Sequence, residues 1–200
     1  MKNIKKYFNK KKVLITGHTG FKGTWLTFLL ANNGAKILGL SKDIPTKPSL
    51  FEILKLDKKI SHKFLDIRNF AELKKAFLNF DPGFVFHLAA QAIVHKSYIN
   101  PLETWTSNLN GTLNLLECLK YQKKKSISVI ITSDKTYKNI ETTKGYLEND
   151  KLGGTDPYGA SKSAADIAIN SYISSFFNSK KNNKIISIAR AGNVIGGGDW

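Results

Sequence analysis

A single cysteine, Cys118, in a chain of 200 residues excludes an internal disulfide and a thiolate cluster of the zinc type, and it fits a reducing, cytoplasmic setting. Long apolar runs are missing as well: no segment approaches the ~18 consecutive apolar residues of a membrane-spanning helix. The basic opening "MKNIKKYFNKKK" lacks the apolar stretch of a secretory signal or an anchor. Acidic residues are scarce, 15 against 31 basic ones, which leaves a formal charge of +16 and an attraction toward anionic partners. That excess is mostly lysine, scattered in groups such as Lys10 to Lys12, Lys123 to Lys125 and Lys180 to Lys181. No run interleaves arginine with aromatics as a nucleic-acid groove would, so the charge reads as a solvated surface, and neither nucleic acid nor membrane is expected as a partner.

What the chain does have is alternation. Short β-branched runs alternate with longer segments of helical period, which is the mark of a parallel sheet with crossover helices. Strands are expected at Lys12–Thr16, Lys36–Leu40, His62–Leu65, Phe84–Leu88, Ser128–Thr132 and Ile185–Arg190. Helices are expected at about Phe21–Asn33, Phe70–Phe80, Pro101–Tyr121 and Thr155–Phe177. "VLIT", "FVFHL" and "SVIIT" are nearly continuous apolar runs, as strands covered on both faces require. The fold class is therefore α/β, a doubly wound parallel sheet, with residues 1–11 as a basic N-terminal arm and residues 12–200 as one domain. Asp199 and Trp200 follow a glycine run with no further element after them, so a substrate-holding part is expected to be missing.

After the first strand comes "TGHTGFKG", with Gly17, Gly20 and Gly23 just ahead of a helix. Glycines there allow a tight turn, close approach of backbone to a pyrophosphate, and packing of helix on strand, while the helix N-terminus offers N–H groups to phosphate. In this context they predict a dinucleotide site of the Rossmann type. The second strand ends with Ser41 where a ribose-binding carboxylate is expected, then Lys42 and Asp43, so the choice between NAD and NADP stays open. Asp66, with apolar Ile67 beside it, either flanks the adenine or caps the next helix.

Tyr158 and Lys162, four apart in "PYGASK", fall on one helix face, where an ammonium favours the phenolate and makes tyrosine a usable base. With "TSDKTY" ending the fifth strand, and with "TGHTGFKG", "HLAAQ", "NLNGT", "PSLFE" and "RAGNVIGGGDW", the chain resembles the extended short-chain dehydrogenase/reductase family. More narrowly it resembles the nucleotide-sugar 4,6-dehydratases and, among them, the branch acting on CDP-glucose. The likeness runs from about residue 8 to residue 200, the cofactor-binding half to two-thirds of a typical member.

This resemblance implies a cytoplasmic lyase that holds NAD tightly and feeds deoxysugar synthesis for surface polysaccharide. It implies that Tyr158 takes the proton of the sugar 4-hydroxyl, that Ser133 hydrogen-bonds the same oxygen, and that Lys162 holds the nicotinamide ribose. Asp134 would protonate the departing 6-hydroxyl. Lys135, where related enzymes carry glutamate, would remove the C5 proton if burial and neighbouring cations made it neutral; a charged Lys135 would instead stabilise the enolate. Gly17, Thr19, Gly20, Phe21, Gly23, Asp66, Ile67, Leu88, Ala89 and Ala90, with Tyr158 and Lys162, would line the cofactor, and Gln91 and Asn193 the substrate. Asn108 would support them by bracing helix to strand; no metal is implied, and His87 reads as packing. Members are commonly homodimers through two helices, here about Pro101–Tyr121 and Thr155–Phe177. Two rival readings are an epimerase or reductase of the same fold, which needs no Asp134 and Lys135 pair, and a non-catalytic dinucleotide-binding fragment.

Overall fold

Six apolar runs pair in parallel to make one sheet: β1 (Lys12–Thr16), β2 (Lys36–Ser41), β3 (Ser61–Phe64), β4 (Phe84–His87), β5 (Ser126–Ile131) and β6 (Lys184–Ala189). Their spatial order is β3-β2-β1-β4-β5-β6. The chain therefore winds outward from β1 to one edge, returns past β1, and winds to the other edge from β4. The reversal between β1 and β4 opens a crevice at their carboxyl ends, where a doubly wound sheet binds its ligands. The computed structural model describes residues 2–178 and 183–200, so the Lys180–Lys181 group lies outside the described residues.

Alternation along β1 divides the core. Val13 and Ile15 face one side with Leu30 and Ile37, whereas Leu14 faces the other with Leu73, Phe77, Leu115, Leu119 and Ile169. The first side is covered by α1 (Lys2–Phe8) and α2 (Phe21–Asn32). Two short helices follow α2 in the chain at other places, α3 (Leu50–Ile53) and, after α4 (Phe70–Phe80), α5 (Val94–Ile99). The second side is covered by α4 together with α7 (Gly111–Tyr121) and α8 (Pro157–Tyr172), and α6 (Pro101–Trp105) leads into α7.

Several expectations need correction. The N-terminal arm is mostly helix: Ile4 and Phe8, one turn apart, pack on the sheet, and Phe8 meets Phe84 and Phe86 at ring-centroid distances of 4.9 and 6.1 Å. Segment 101–121 is two α-helices joined by a π turn at Thr106–Asn110, and a second π turn, Ile173–Phe177, follows α8. The last long helix begins at Pro157 rather than Thr155, because the Asp156 carboxylate caps it by accepting from the N–H groups of Tyr158 and Gly159. Asp66 accepts from the Arg68 N–H in the turn before α4 but does not cap the helix; the cap is Asn69, which accepts from the Glu72 N–H. The helices α3 and α5 went unexpected, being too short to show a period. Among the described residues no helix is long and apolar enough to cross a membrane.

Candidate active site

The glycine turn lies at the β1 end of the crevice. Gly17 has φ +75°, and a Cβ there would stand 2.7 Å from the Ala89 nitrogen, so the turn presses directly on the segment Leu88–Ala90 after β4. That segment is fastened in return: the Leu88 N–H donates to the Thr16 carbonyl and the Ala89 N–H to the Thr16 hydroxyl. A Cβ on Gly23 would fall 1.9 Å from the Gly17 carbonyl oxygen, which is why α2 can start so close to β1. Whereas α4, α6 and α8 each start with a side chain capping their N–H groups, α2 starts at Gly20 with none. Its first N–H groups, from Phe21 on, are thus left for an anion, and the cradle fits the pyrophosphate of a dinucleotide.

Thr19 and Ser41 explain the missing ribose carboxylate. The Ser41 hydroxyl is turned inward, accepting from the Thr19 N–H at 3.3 Å and bonded to His18 Nδ1 at 2.9 Å, while the Thr19 hydroxyl donates to the Asp43 carbonyl. Ser41 therefore locks the glycine turn to β2 and does not face a ligand. Asp66 is held by Arg68 through a fork, with nitrogen–oxygen distances of 2.9 and 2.6 Å to Oδ2, and this guanidinium keeps its carboxyl below the usual carboxylate range. Arg68 also borders an open crevice with Asn100, Leu102, Glu103, Thr106 and Asn110, at the end of the site where adenine is expected. The Ile67 side chain is in the core, so only its backbone is placed to meet a ligand.

At the ends of β4 and β5 stand the groups expected to do chemistry. Ser133 is buried and caps the short 3-10 turn Asp134–Thr136: its Oγ accepts from the Lys135 N–H at 3.2 Å and donates to Asp134 Oδ1 at 3.0 Å. The cap reading and the catalytic one thus describe the same hydroxyl. The turn rests on α8, where the Ser163 hydroxyl donates to the Thr136 carbonyl at 2.8 Å. Burial pushes the Tyr158 phenol above its ordinary pKa, its hydrogen bond with Ser133 pulls it down, and the Asp134 and Asp156 carboxylates push it up again. Lys162, one turn along, is buried, and desolvation with help from Lys22 lowers its pKa to about 8. Ser133, Asp134, Tyr158 and Lys162 therefore come together as expected. Asp134 and Lys135 are both exposed, so the protein itself does not supply Lys135 with the desolvation that a neutral lysine base requires.

Gln91 belongs to the scaffold. Its amide donates to Ile93 O and Thr104 Oγ1 and accepts from Ile93 N–H, and its backbone is gripped at both ends by Asn108. Asn108, buried in the π turn, also donates to Ser161 Oγ on α8 at 2.9 Å, which is the bracing role expected of it. Asn193 stands exposed in the loop after β6. Unforeseen were His18, the Arg190 and Asp166 pair, and the docking of the last loop on α2, where Trp25 Nε1 donates to the Gly197 carbonyl at 2.9 Å. Each joins residues far apart in the chain, so local pattern gave no sign of them.

His87 is packing. The Thr112 hydroxyl gives its one proton to the Asn108 carbonyl, so His87 Nε2 donates to Thr112, and its Nδ1 accepts from Thr16 at 2.7 Å. With both nitrogens committed and the ring buried, the pKa of His87 falls to about 3, and burial lowers that of His18 to about 4. Both histidines are therefore neutral in the fold, and their stabilising effect is complete above the unfolded value of 6.5 and lost as pH falls toward 4 and 3. Urea unfolding at about pH 7 and about pH 5 is expected to show stability falling below pH 6.5, at a slope approaching about 1.4 kcal/mol per pH unit for each histidine. A flat profile over that window would contradict the neutral assignment.

Comparison with known proteins places this geometry. The sequence model of a family described as "GDP-mannose 4,6 dehydratase" matches residues 14–187. The chain belongs to the GDP-mannose 4,6-dehydratase family. It is similar to a CDP-glucose 4,6-dehydratase of Salmonella typhimurium, 45% identical over 98% of this chain and 55% of the relative. A CDP-paratose 2-epimerase of Salmonella typhi is 29% identical over 78% of this chain and 51% of its own length. Among solved structures, an epimerase of Methanothermobacter thermautotrophicus superposes with a TM-score of 0.84 at 26% identity, over 98% of this chain and 56% of the other. A UDP-glucose 4-epimerase of Brucella ovis, in complex with NAD, shares the fold with a TM-score of 0.76 at 22% identity, over 92% of this chain and 52% of its own. The chain thus spans about half the length of the family members it matches.

Proposed function

We propose that this chain is the cofactor-binding and acid–base part of an NAD-dependent CDP-glucose 4,6-dehydratase, converting CDP-glucose to CDP-4-keto-6-deoxyglucose and water. The observation that carries the reading is that Asp134, hydrogen-bonded to Ser133, and Ser133 itself both lie close enough to the Tyr158 phenol to shift its pKa. An epimerase or simple reductase needs the tyrosine, but expelling water needs a second proton donor within reach of it. The similarity to a CDP-glucose enzyme at 45% identity favours the cytidine nucleotide.

Bound NAD would accept a hydride from sugar C4 and return it to C6, so that the cofactor ends as it began. The glycine turn and the N-terminus of α2 would hold its pyrophosphate, and Lys162 its nicotinamide ribose. Tyr158 takes the proton of the 4-hydroxyl, and Ser133, beside the phenol, aligns that oxygen. A ketone at C4 acidifies the C5 proton, and Asp134 in its protonated form delivers a proton to the 6-hydroxyl as it leaves. Lys135, exposed in the free chain, would take the C5 proton as a neutral amine once bound substrate and the oxidised nicotinamide desolvate it and disfavour its charge. Asn193, exposed in the loop after β6, stays available for the substrate's phosphates.

The family's dimer is part of the proposal, in a cytoplasmic enzyme. Tyr98, Ile99, Leu102, Tyr121, Ile167 and Phe176 are all exposed on or near the helices expected to pair.

The decisive measurement is incubation with CDP-glucose and NAD in heavy water, on the chain and on a version carrying the further length its relatives have. Formation of the 4-keto-6-deoxy sugar with deuterium at C5 is expected. Cofactor binding without turnover in both versions would overturn the reading in favour of a non-catalytic module. A product epimerised without loss of water would point to an epimerase.

A further inference from the structure

Arg190, at the end of β6, and Asp166, on α8, form a forked ion pair: Nε to Oδ2 at 2.9 Å and Nη2 to Oδ1 at 2.8 Å, with the carboxylate fully buried. Such a fork fixes direction as well as distance, which a lysine could not reproduce. The third nitrogen, Nη1, donates to Tyr137 Oη at 2.9 Å and to the Glu148 carbonyl at 2.8 Å. The guanidinium also lies over the Tyr137 ring at 4.8 Å. Tyr137 in turn stacks on Tyr146, with ring centroids 5.0 Å apart and planes 9° off parallel.

Asp166 lies one helical turn beyond Lys162, as Lys162 does beyond Tyr158. Its Oδ2 also accepts from Thr132 Oγ1 at 3.3 Å, and Thr132 immediately precedes Ser133. The turn carrying Ser133, Asp134 and Lys135 is thus tethered on both flanks to one ion pair, by Thr132 before it and Tyr137 after it. The same pair is rooted in the helix that carries Tyr158 and Lys162. A role confined to closing the sheet edge would need only the Asp166 fork, not the reach of Nη1 to Tyr137 and Glu148.

We propose that Arg190 and Asp166, with Tyr137, are positioning residues that set Asp134 and Lys135 against the Tyr158 and Lys162 face, and so govern the elimination of water more than the first hydride transfer. This rests on the dehydratase reading. Tyr158 and Lys162 are ordered by their own sixteen-residue helix, whereas Asp134 and Lys135 depend on a three-residue turn and its tethers.

Two variants test it: Tyr137→Phe, which removes only the hydroxyl that Nη1 grips, and Arg190→Lys, which keeps the charge and loses the fork. Turnover of CDP-glucose is expected to fall about tenfold or more, as losing a hydrogen bond to a charged group implies, with KM nearly unchanged. Absorbance of reduced nicotinamide should then build up, because the first hydride transfer continues while elimination lags. Unchanged turnover, or cofactor reduction slowed as much as elimination, would overturn the proposal.

A second readout needs no substrate. In Tyr137→Phe, amide hydrogen exchange across Asp134–Lys151 is expected to quicken about tenfold while α8 stays protected, as local opening of a less tethered segment requires. Equal protection in the two proteins would refute the tether. Should the unsubstituted protein fail to dehydrate CDP-glucose, the dehydratase reading falls, and with it the claim about elimination, whereas the exchange result still decides the tether. If Arg190→Lys does not fold, Tyr137→Phe, which leaves the ion pair intact, carries the test.

Discussion

Replacing Tyr158 by phenylalanine is expected to slow dehydration of CDP-glucose by about 10²–10⁴-fold, the usual worth of a general acid–base group, without weakening cofactor binding or unfolding the protein. The ring is buried and would stay in place, since phenylalanine keeps its volume. What goes is the phenolic oxygen proposed to accept the 4-hydroxyl proton beside Ser133. Burial raises this phenol, so the deprotonated form depends on positive charge nearby, from Lys162 or from the oxidised cofactor. Rate against pH should therefore rise through the alkaline range in the unsubstituted enzyme and be flat in the residual activity of Tyr158→Phe. Quantifying 4-keto product and NAD affinity in both proteins checks this; a variant within about tenfold of the parent would move the base to another residue, below the lower bound for such a group.

How much of this could be read beforehand depended on the range over which each feature is decided. Strands covered on both faces carry their own signal in continuous β-branched runs, and β1 occupies the expected Lys12–Thr16. The glycine turn was legible because Gly17 and Gly23 sit where any Cβ would strike backbone. That Tyr158 and Lys162 share one helix face was legible from their spacing of four, but only the glycine turn and the strand-end Ser133 and Asp134 drew attention to the pair. The N-terminal helix was hidden because its two anchoring residues, Ile4 and Phe8, are diluted among lysines and gain their meaning only from Phe84 and Phe86 on β4. The π turn at Thr106–Asn110 keeps a nearly helical period, so nothing in the residues separated it from a continuous helix until Asn108 was seen gripping Gln91. Arg68 lies two residues from Asp66, within reach of local pattern, whereas Gln91, which only the family resemblance pointed to, has partners in Thr104 and Asn108 that are set by tertiary packing. Exposure of Lys135 likewise follows from how the turn sits on α8, which no spacing rule conveys.

Lys162→Met is expected to make the protein more stable and inactive at once. The ammonium is buried at the carboxyl end of β5 with one long contact, 3.5 Å from Nζ to the Ile131 carbonyl, and desolvation lowers its pKa from 10.5 to about 8. Below about pH 8 the lysine is charged both folded and unfolded, and the folded state bears the desolvation cost in full. Between about 8 and 10.5 the folded chain sheds the proton first, so the cost shrinks as pH rises and vanishes above the unfolded value. Methionine has nearly the same length and no charge, so at neutral pH the variant should gain as much as about 3 kcal/mol, a gain that fades toward pH 10.5. The measurement is urea unfolding of both proteins, without cofactor, at about pH 7 and about pH 10. A variant less stable at neutral pH would mean that the ammonium is well solvated or well partnered, and that its burial is no burden to the fold. Loss of NAD affinity and of turnover in the same variant would identify what the cost maintains: a cation that the folded chain tolerates because the cofactor ribose and the Tyr158 phenolate require it.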